Sequence, residues 1–173
     1  MDIYKFLVGH TVAISKVLEV DKWVFYSEHP ENDDLFDDQI YRKFTQNGSD
    51  LGQRMKNAFK AGFDAGYKNI IIIGSDIYDL NTEDLKLAFN TLAKADYVIG
   101  PAQDGGYYLL GMKSLNKRIF LNKSWSTDLV MDETLAELRM AKVSLLEVRN
   151  DIDVYEDIKD FSVFERFLIQ DKE

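Results

Sequence analysis

Four consecutive isoleucines, Ile70 to Ile73, stand between Asn69 and the run Gly74-Ser75-Asp76. β-Branched side chains crowd a helix but pack well on a pleated surface, so this run is a strand. An uninterrupted apolar run also leaves the strand no face for solvent. It suits a parallel sheet covered by helices on both sides. The flanking segments alternate in kind, as such a sheet requires. Ile3, Phe6, Leu7, His10, Ile14 and Val17 or Leu18 recur at spacings of three and four, which predicts a helix over 3–18. Residues 22–27 and Tyr41 to Thr45 read as strands. Asp50 or Ser49 caps a helix with the stripe Leu51, Met55, Ala58 or Phe59, Gly62 and Phe63, and Gly66 is its C′ stop. Asn81 or Thr82 opens a helix to Lys94. Asp96 to Gly100 and Tyr107 to Met112 are strands, 128–141 a helix, 143–148 a strand and 154–168 a final helix. The order α-β-β-α-β-α-β-β-α-β-α predicts one α/β domain over residues 1–173, with a mainly parallel sheet in three α/β/α layers.

Composition removes several function classes. The 173 residues carry 21 basic and 30 acidic side chains, a formal charge of −9. A nucleic-acid binder needs a basic footprint to neutralise phosphates, and an anionic membrane surface repels this chain. There is no cysteine, which excludes disulfides, thiolate metal sites and thiol nucleophiles. No apolar run is long enough to span a bilayer, and Met1 to Lys5 has no signal-peptide pattern, so the cytosol is the expected compartment. Residues 28–38 hold Glu28, Glu31, Asp33, Asp34, Asp37 and Asp38 without a Lys or Arg, which reads as a solvated loop. His10 and His29 fit no hydrolytic triad.

Nine of the ten glycines fall between Gly48 and Gly111, which directs attention to that stretch. Asp76 follows the most apolar strand, where α/β sheets collect ligands. It can hold a hard divalent cation, or with Asp79 it can simply form the turn. Asp104-Gly105-Gly106-Tyr107 is a hairpin signal. It also offers a fixed carboxylate, backbone that a ligand can approach and an aromatic wall of Tyr107 or Tyr108. Gln46 to Met55 is a Gly-containing loop opening a helix, with Arg54 placed to reach an anion or to stand exposed. It is not a P-loop, because no Gly-Lys-Ser or Gly-Lys-Thr occurs. Asp151 and Asp153 alternate, so they share a side and can complete a metal site; Asp153 can equally cap the last helix. Thr127 is a natural N-cap, and Trp125 is either core or a platform for a ring.

Taken in order, Gln46-x-Gly48-x-Asp50-Leu51-Gly52-x-Arg54-Met55, Gly74-Ser75-Asp76, Gly100-Pro101-Ala102-x-Asp104-Gly105-Gly106-Tyr107-Tyr108-Leu109-x-Gly111, Trp125-Ser126-Thr127 and Asp151-Ile152-Asp153-x-x-x-Asp157 resemble a little-characterised bacterial glycosyltransferase-like family. That family is related to the guanylyltransferases of the molybdenum cofactor and of the phospholactate-derived coenzyme, and it resembles the nucleotide-diphospho-sugar transferase (GT-A) fold. The resemblance is strong over 44–160 and looser over 2–43. It implies a metal-dependent transferase with a nucleotide-activated donor, foremost a nucleotide-sugar, and a small-molecule acceptor. Nucleotidyl transfer is the alternative chemistry. It implies Asp76 as ligand of Mg²⁺ or Mn²⁺. Asp50, Gly52 and Arg54 would lie near the nucleotide. Asp104, Gly105, Gly106 and Tyr107 would lie near the transferred group, with Trp125, Thr127 and Asp153 closing the other side. Asp104 and Asp153 would be the catalytic carboxylates. Two departures stand out. Tyr78 replaces a proline common in relatives. The opening strand and basic Gly-rich loop are missing, since Met1 falls where the family's first helix begins. The expectation is a gap inside the sheet that invites pairing with another chain. A non-catalytic, oligomeric binding module is the reading from a different class.

Overall fold

The computed structural model describes residues 3–30, 34–152, 155–159 and 161–168. Its α/β class is the one expected. Helix α1 (Ile3–Lys16) leads into β1 (Lys22–Tyr26), which pairs in parallel with β2 (Tyr41–Thr45). Helix α2 (Leu51–Asp64) precedes β3 (Ile70–Ile73), and α3 (Thr82–Leu92) precedes β4 (Tyr97–Pro101). Strands β5 (Tyr107–Met112) and β6 (Val143–Leu145) complete a second sheet of order β3-β5-β4-β6. In that sheet β3, β4 and β6 run one way and β5 the other. The reversal has a simple cause. A parallel return needs a crossover of roughly a dozen residues. Only 102–106 separate β4 from β5, and Asp104-Gly105 turns the chain straight back.

The second sheet carries the core on both faces. Val98 and Leu109 pack with Leu85, Ala88 and Leu92 of α3, whereas Ile99, Leu110 and Met112 pack with Phe59 of α2. Helix starts follow the expected caps. Asp50 accepts the Gln53 N–H at 2.8 Å. Asn81 and Asp84 cap α3 reciprocally. Gly66, at φ 93°, ends α2 as expected, and the Tyr67 N–H bonds back to the Gly62 carbonyl.

Several expectations need correction. The four isoleucines are each only partly buried, because β3 stands at the edge of its sheet. The helix expected over 128–141 is the shorter α4 (Val130–Glu137). Its N-cap is Leu129, while the Thr127 hydroxyl takes the Leu129 N–H one turn earlier, at 3.4 Å. The single helix expected over 154–168 is broken. Short helices α5 (Tyr155–Ile158) and α6 (Glu165–Leu168) flank a tight turn at Ser162–Phe164. Phe161 and Phe164 fold inward there against Tyr78, and i→i+3 bonds tighten the backbone to let them. A further 3₁₀ turn, Lys117–Phe120, lies between β5 and α4.

The acidic segment is not wholly solvated either. The Asp34 side chain is 13% exposed, accepts a bond from the Tyr26 hydroxyl and lies 3.0 Å from the Lys43 ammonium. No helix among the described residues is long and apolar enough to cross a membrane.

Candidate functional site

A cleft of about 1420 Å³ is lined by β1, by β3 and by the residues that follow them, Ser27 and Gly74 to Ile77. Gly74 continues β3 by donating to the Tyr108 carbonyl at 3.0 Å, after which the chain leaves the sheet at Ser75-Asp76. The Asp76 carboxylate folds back over Gly74; a Cβ on Gly74 would meet Asp76 Oδ1 at 2.5 Å. The Ile152 N–H donates to the Asp76 carbonyl at 3.0 Å, so Asp151 is delivered beside Asp76. Both carboxylates line the cleft. The alternation of Asp151 with Asp153 and the motif Asp151-Ile152-Asp153-x-x-x-Asp157 are the sequence signals for Asp151. Asp153 lies outside the described residues.

Asp104 reaches the cleft on its own turn. Its Oδ1 accepts the Gly106 N–H at 2.8 Å. Gly105, at φ 90°, does not line the cleft but makes the turn possible, since a Cβ there would stand 2.3 Å from the Asp128 carbonyl oxygen. The Met131 N–H donates to the Gly105 carbonyl at 2.9 Å, which locks this turn to the start of α4. Gly106 and Tyr107 line the wall. Burial pushes the Tyr107 hydroxyl above an ordinary phenol, so Tyr107 stands in the wall as a neutral side chain at pH 7.

The Trp125-Ser126-Thr127 motif packs on the helix-opening motif around Gly52. The Trp125 ring lies so close over the start of α2 that a Cβ on Gly52 would meet its Cζ2 at 2.2 Å. Trp125, Ser126 and Thr127 line the cleft, with Ser126 in the left-handed region at φ 63°. Arg54 lines it too. Its Nε donates to the Gly48 carbonyl at 3.2 Å and its Nη1 to Gln46 Oε1 at 3.4 Å, so it braces the loop ahead of its own helix. Asp50 and Gly52 are not brought to the cleft wall. The Asp50 carboxylate serves the helix N-terminus, and the Gln53 N–H holds its pKa below the usual range.

Asp79 is resolved as structural. It lies 3.1 Å from Arg149, which also meets Asp84 at 2.8 Å and donates to the Asp79 carbonyl. Arg149 gave no sequence signal, yet it ties the loop after Asp76 to the chain beyond β6. His10 is satisfied by the Leu80 carbonyl at 2.7 Å, as expected of a non-catalytic histidine.

The donor set suits a hard cation. Asp76 and Asp151 offer oxygen only, and Mg²⁺ or Mn²⁺ commonly takes one or two carboxylates and completes its shell with water and phosphate. Among the described residues no group of three or more His, Cys, Asp or Glu converges, so a protein-only cage is not built here.

Comparison with known proteins adds three findings. A family described as "Uncharacterized protein conserved in bacteria (DUF2064)" matches residues 11–127. A protein from Desulfovibrio desulfuricans G20, provisionally described as a nucleotide-diphospho-sugar transferase, superposes with a TM-score of 0.80 at 31% identity, over 98% of this chain and 81% of that one. A 4-diphosphocytidyl-2C-methyl-D-erythritol synthase superposes with a TM-score of 0.59 at 15% identity, over 94% and 90%, a likeness of fold alone. No curated protein matches the sequence.

Proposed function

This chain belongs to the DUF2064 family of uncharacterized bacterial proteins, and we propose that it is a transferase using a nucleotide-activated donor, with the glycosyl group of a nucleotide-sugar as the group moved. The observation that carries the reading is the Ile152 N–H bond to the Asp76 carbonyl, which brings the chain next to Asp151 to the carboxyl end of β3, both residues lining a cleft of about 1420 Å³. Ligands of open α/β sheets collect at that end. The likeness to the Desulfovibrio protein supports the donor class.

Asp76 and Asp151 would hold Mg²⁺ or Mn²⁺, which supplies charge neutralisation to a diphosphate leaving group. Arg54, already at the cleft, exchanges its hold on Gly48 and Gln46 for a phosphate oxygen. Trp125 offers a flat apolar surface to a ring. Asp104, held by the Gly106 N–H, accepts the proton of the acceptor hydroxyl as that oxygen bonds the anomeric carbon. The bond from that carbon to the diphosphate breaks, and a nucleoside diphosphate leaves.

Calorimetric titration of nucleotide-sugars with and without Mn²⁺ tests the reading. Mn²⁺-dependent binding that Asp76→Asn abolishes is the expected result. Release of pyrophosphate in place of nucleoside diphosphate would assign nucleotidyl transfer. Absence of any nucleotide binding would overturn both.

A further inference from the structure

A second cavity, of about 370 Å³, lies apart from the large cleft, and among the described residues none lines both. Its size falls within the roughly 300–1,000 Å³ of small-molecule sites. The 3₁₀ turn Lys117–Phe120, the residues after it and one face of α4 make its walls. Ile119 and Phe120 are buried in one core cluster with Leu138, which anchors the turn beside the end of α4. Asn122 then turns the chain in the left-handed region, at φ 52°, and Lys123 follows it into the cavity wall. The charged groups of that wall are Arg118, Lys123, Glu133 and Glu137. Two bases and two acids cancel, so an anion does not meet here the repulsion of a chain that carries −9 overall.

Both acids of the cavity have partners other than Lys123. Glu133 Oε2 accepts the Ser124 N–H at 3.3 Å, and Glu137 Oε2 lies 3.1 Å from Arg118 Nε. The two terminal nitrogens of the Arg118 guanidinium have no partner among the described residues, and neither has the Lys123 amine. That separates Lys123 from other half-buried lysines. Lys22 donates to the Leu18 and Val20 carbonyls, Lys43 lies against Asp34 and Asp38, and Lys113 donates to the Ala93 carbonyl. Lys56 is half-buried without such a bond, but it lines neither cavity. Burial holds the Lys123 pKa below the ordinary lysine value, against the opposing pull of Glu133 and Glu137. A larger share of its amine is therefore neutral and nucleophilic at pH 7 than on an exposed lysine.

We propose that Lys123 is a modification site, whose amine accepts the acyl group of a small acyl phosphate held in this cavity by Arg118. The geometry selects that donor. A guanidinium with both terminal nitrogens open presents parallel N–H groups to two phosphate oxygens. The cavity has room for a small acyl phosphate, and the nucleophile lines the same walls. In the step itself the neutral amine nitrogen attacks the acyl carbon and a C–N bond forms. The bond from that carbon to the phosphate oxygen breaks, and its electron pair leaves on phosphate. The proton released by nitrogen passes through the Glu133 carboxylate to the departing phosphate. The products are an uncharged amide and inorganic phosphate, with nothing oxidised or reduced.

The inference does not depend on the transferase reading, and its test uses no nucleotide. The full chain is incubated with acetyl phosphate near neutral pH, and acetylation of each lysine is followed in time by peptide mass spectrometry. Lys123 should react about tenfold or more faster than Lys56 and the exposed Lys142. Added inorganic phosphate should slow Lys123 and leave Lys56 unchanged. Arg118→Ala should slow the reaction of Lys123 with acetyl phosphate about fivefold or more. Its reaction with N-hydroxysuccinimidyl acetate, which carries no phosphate, should stay as in the wild type. A Lys123 no faster than Lys56 and Lys142 overturns the proposal. So does a fast Lys123 that neither inorganic phosphate nor Arg118→Ala slows, because its reactivity would then owe nothing to a phosphate held in the cavity.

Discussion

Gly52 has no room for one more carbon. Trp125 lies where a Cβ would stand, and the two residues join the helix-opening motif to the Trp-Ser-Thr motif 73 positions later in the chain. Gly52→Ala must therefore push the indole off α2 or shift the helix. The expected cost is about 1–3 kcal/mol, the usual penalty of overpacking, read from a urea midpoint. Displacement of Trp125 should also red-shift the tryptophan emission. Gly66 provides the contrast, since nothing lies within 4 Å of its Cβ position and only its φ of 93° opposes a side chain. A Gly66→Ala variant that leaves the emission unchanged, beside a Gly52→Ala variant that shifts it, separates close approach from backbone strain. Unshifted emission in Gly52→Ala would contradict the packing described for Trp125.

At the scale of elements, the acidic segment behaves as a latch. Burial alone would raise the Asp34 pKa, but the Tyr26 hydroxyl, the Lys43 ammonium and the Phe36 N–H outweigh it and hold the carboxyl below its usual value. A depressed folded pKa stabilises the folded state at pH above the unfolded value of about 4 and loses that contribution as pH falls through the folded pKa. Asp34→Asn should thus lower the urea midpoint at pH 7, and the gap from the wild type should narrow as the pH falls below about 4. A gap that is constant with pH would mean that the latch acts through shape and not charge.

Asp34 also marks where sequence stops informing. A run of carboxylates reads as solvated until Lys43, on the neighbouring strand, is known to face it. The interior elements were legible because periodicity and caps are local, as Asp50, Gly66 and Asn81 illustrate. The breaking of 154–168 was not legible, because Phe161 and Phe164 answer to Tyr78 far earlier in the chain. For the site, Asp76 and Asp104 announce themselves by strand end and turn. The alternation of Asp151 with Asp153 marks Asp151 as a candidate, but its place next to Asp76 is visible only through the Ile152 N–H that bonds the Asp76 carbonyl, and Arg149 only through its partners Asp79 and Asp84.

For the whole molecule, the charge of −9 bears on how the proposed nucleotide donor would be captured. Arg54 is the cation of the helix-opening motif at the cleft, and Asp76, Asp104 and Asp151 line the same walls. A nucleotide therefore approaches a like-charged surface, and long-range repulsion slows and weakens the encounter. Salt shortens the reach of that repulsion, from about 30 Å at 10 mM to about 8 Å at physiological ionic strength. Nucleotide affinity measured without divalent cation should therefore rise as salt is added over that range, opposite to the behaviour of a protein with a basic phosphate site. If Asp76 and Asp151 hold a cation as proposed, it would offset part of the local negative charge, so with saturating Mn²⁺ the salt dependence should flatten or reverse. Fluorescence titration of a labelled nucleotide at the two ionic strengths, each with and without Mn²⁺, gives all four affinities. An affinity that falls with salt in the absence of metal would place the phosphate contacts on a basic surface and remove the need for the paired aspartates.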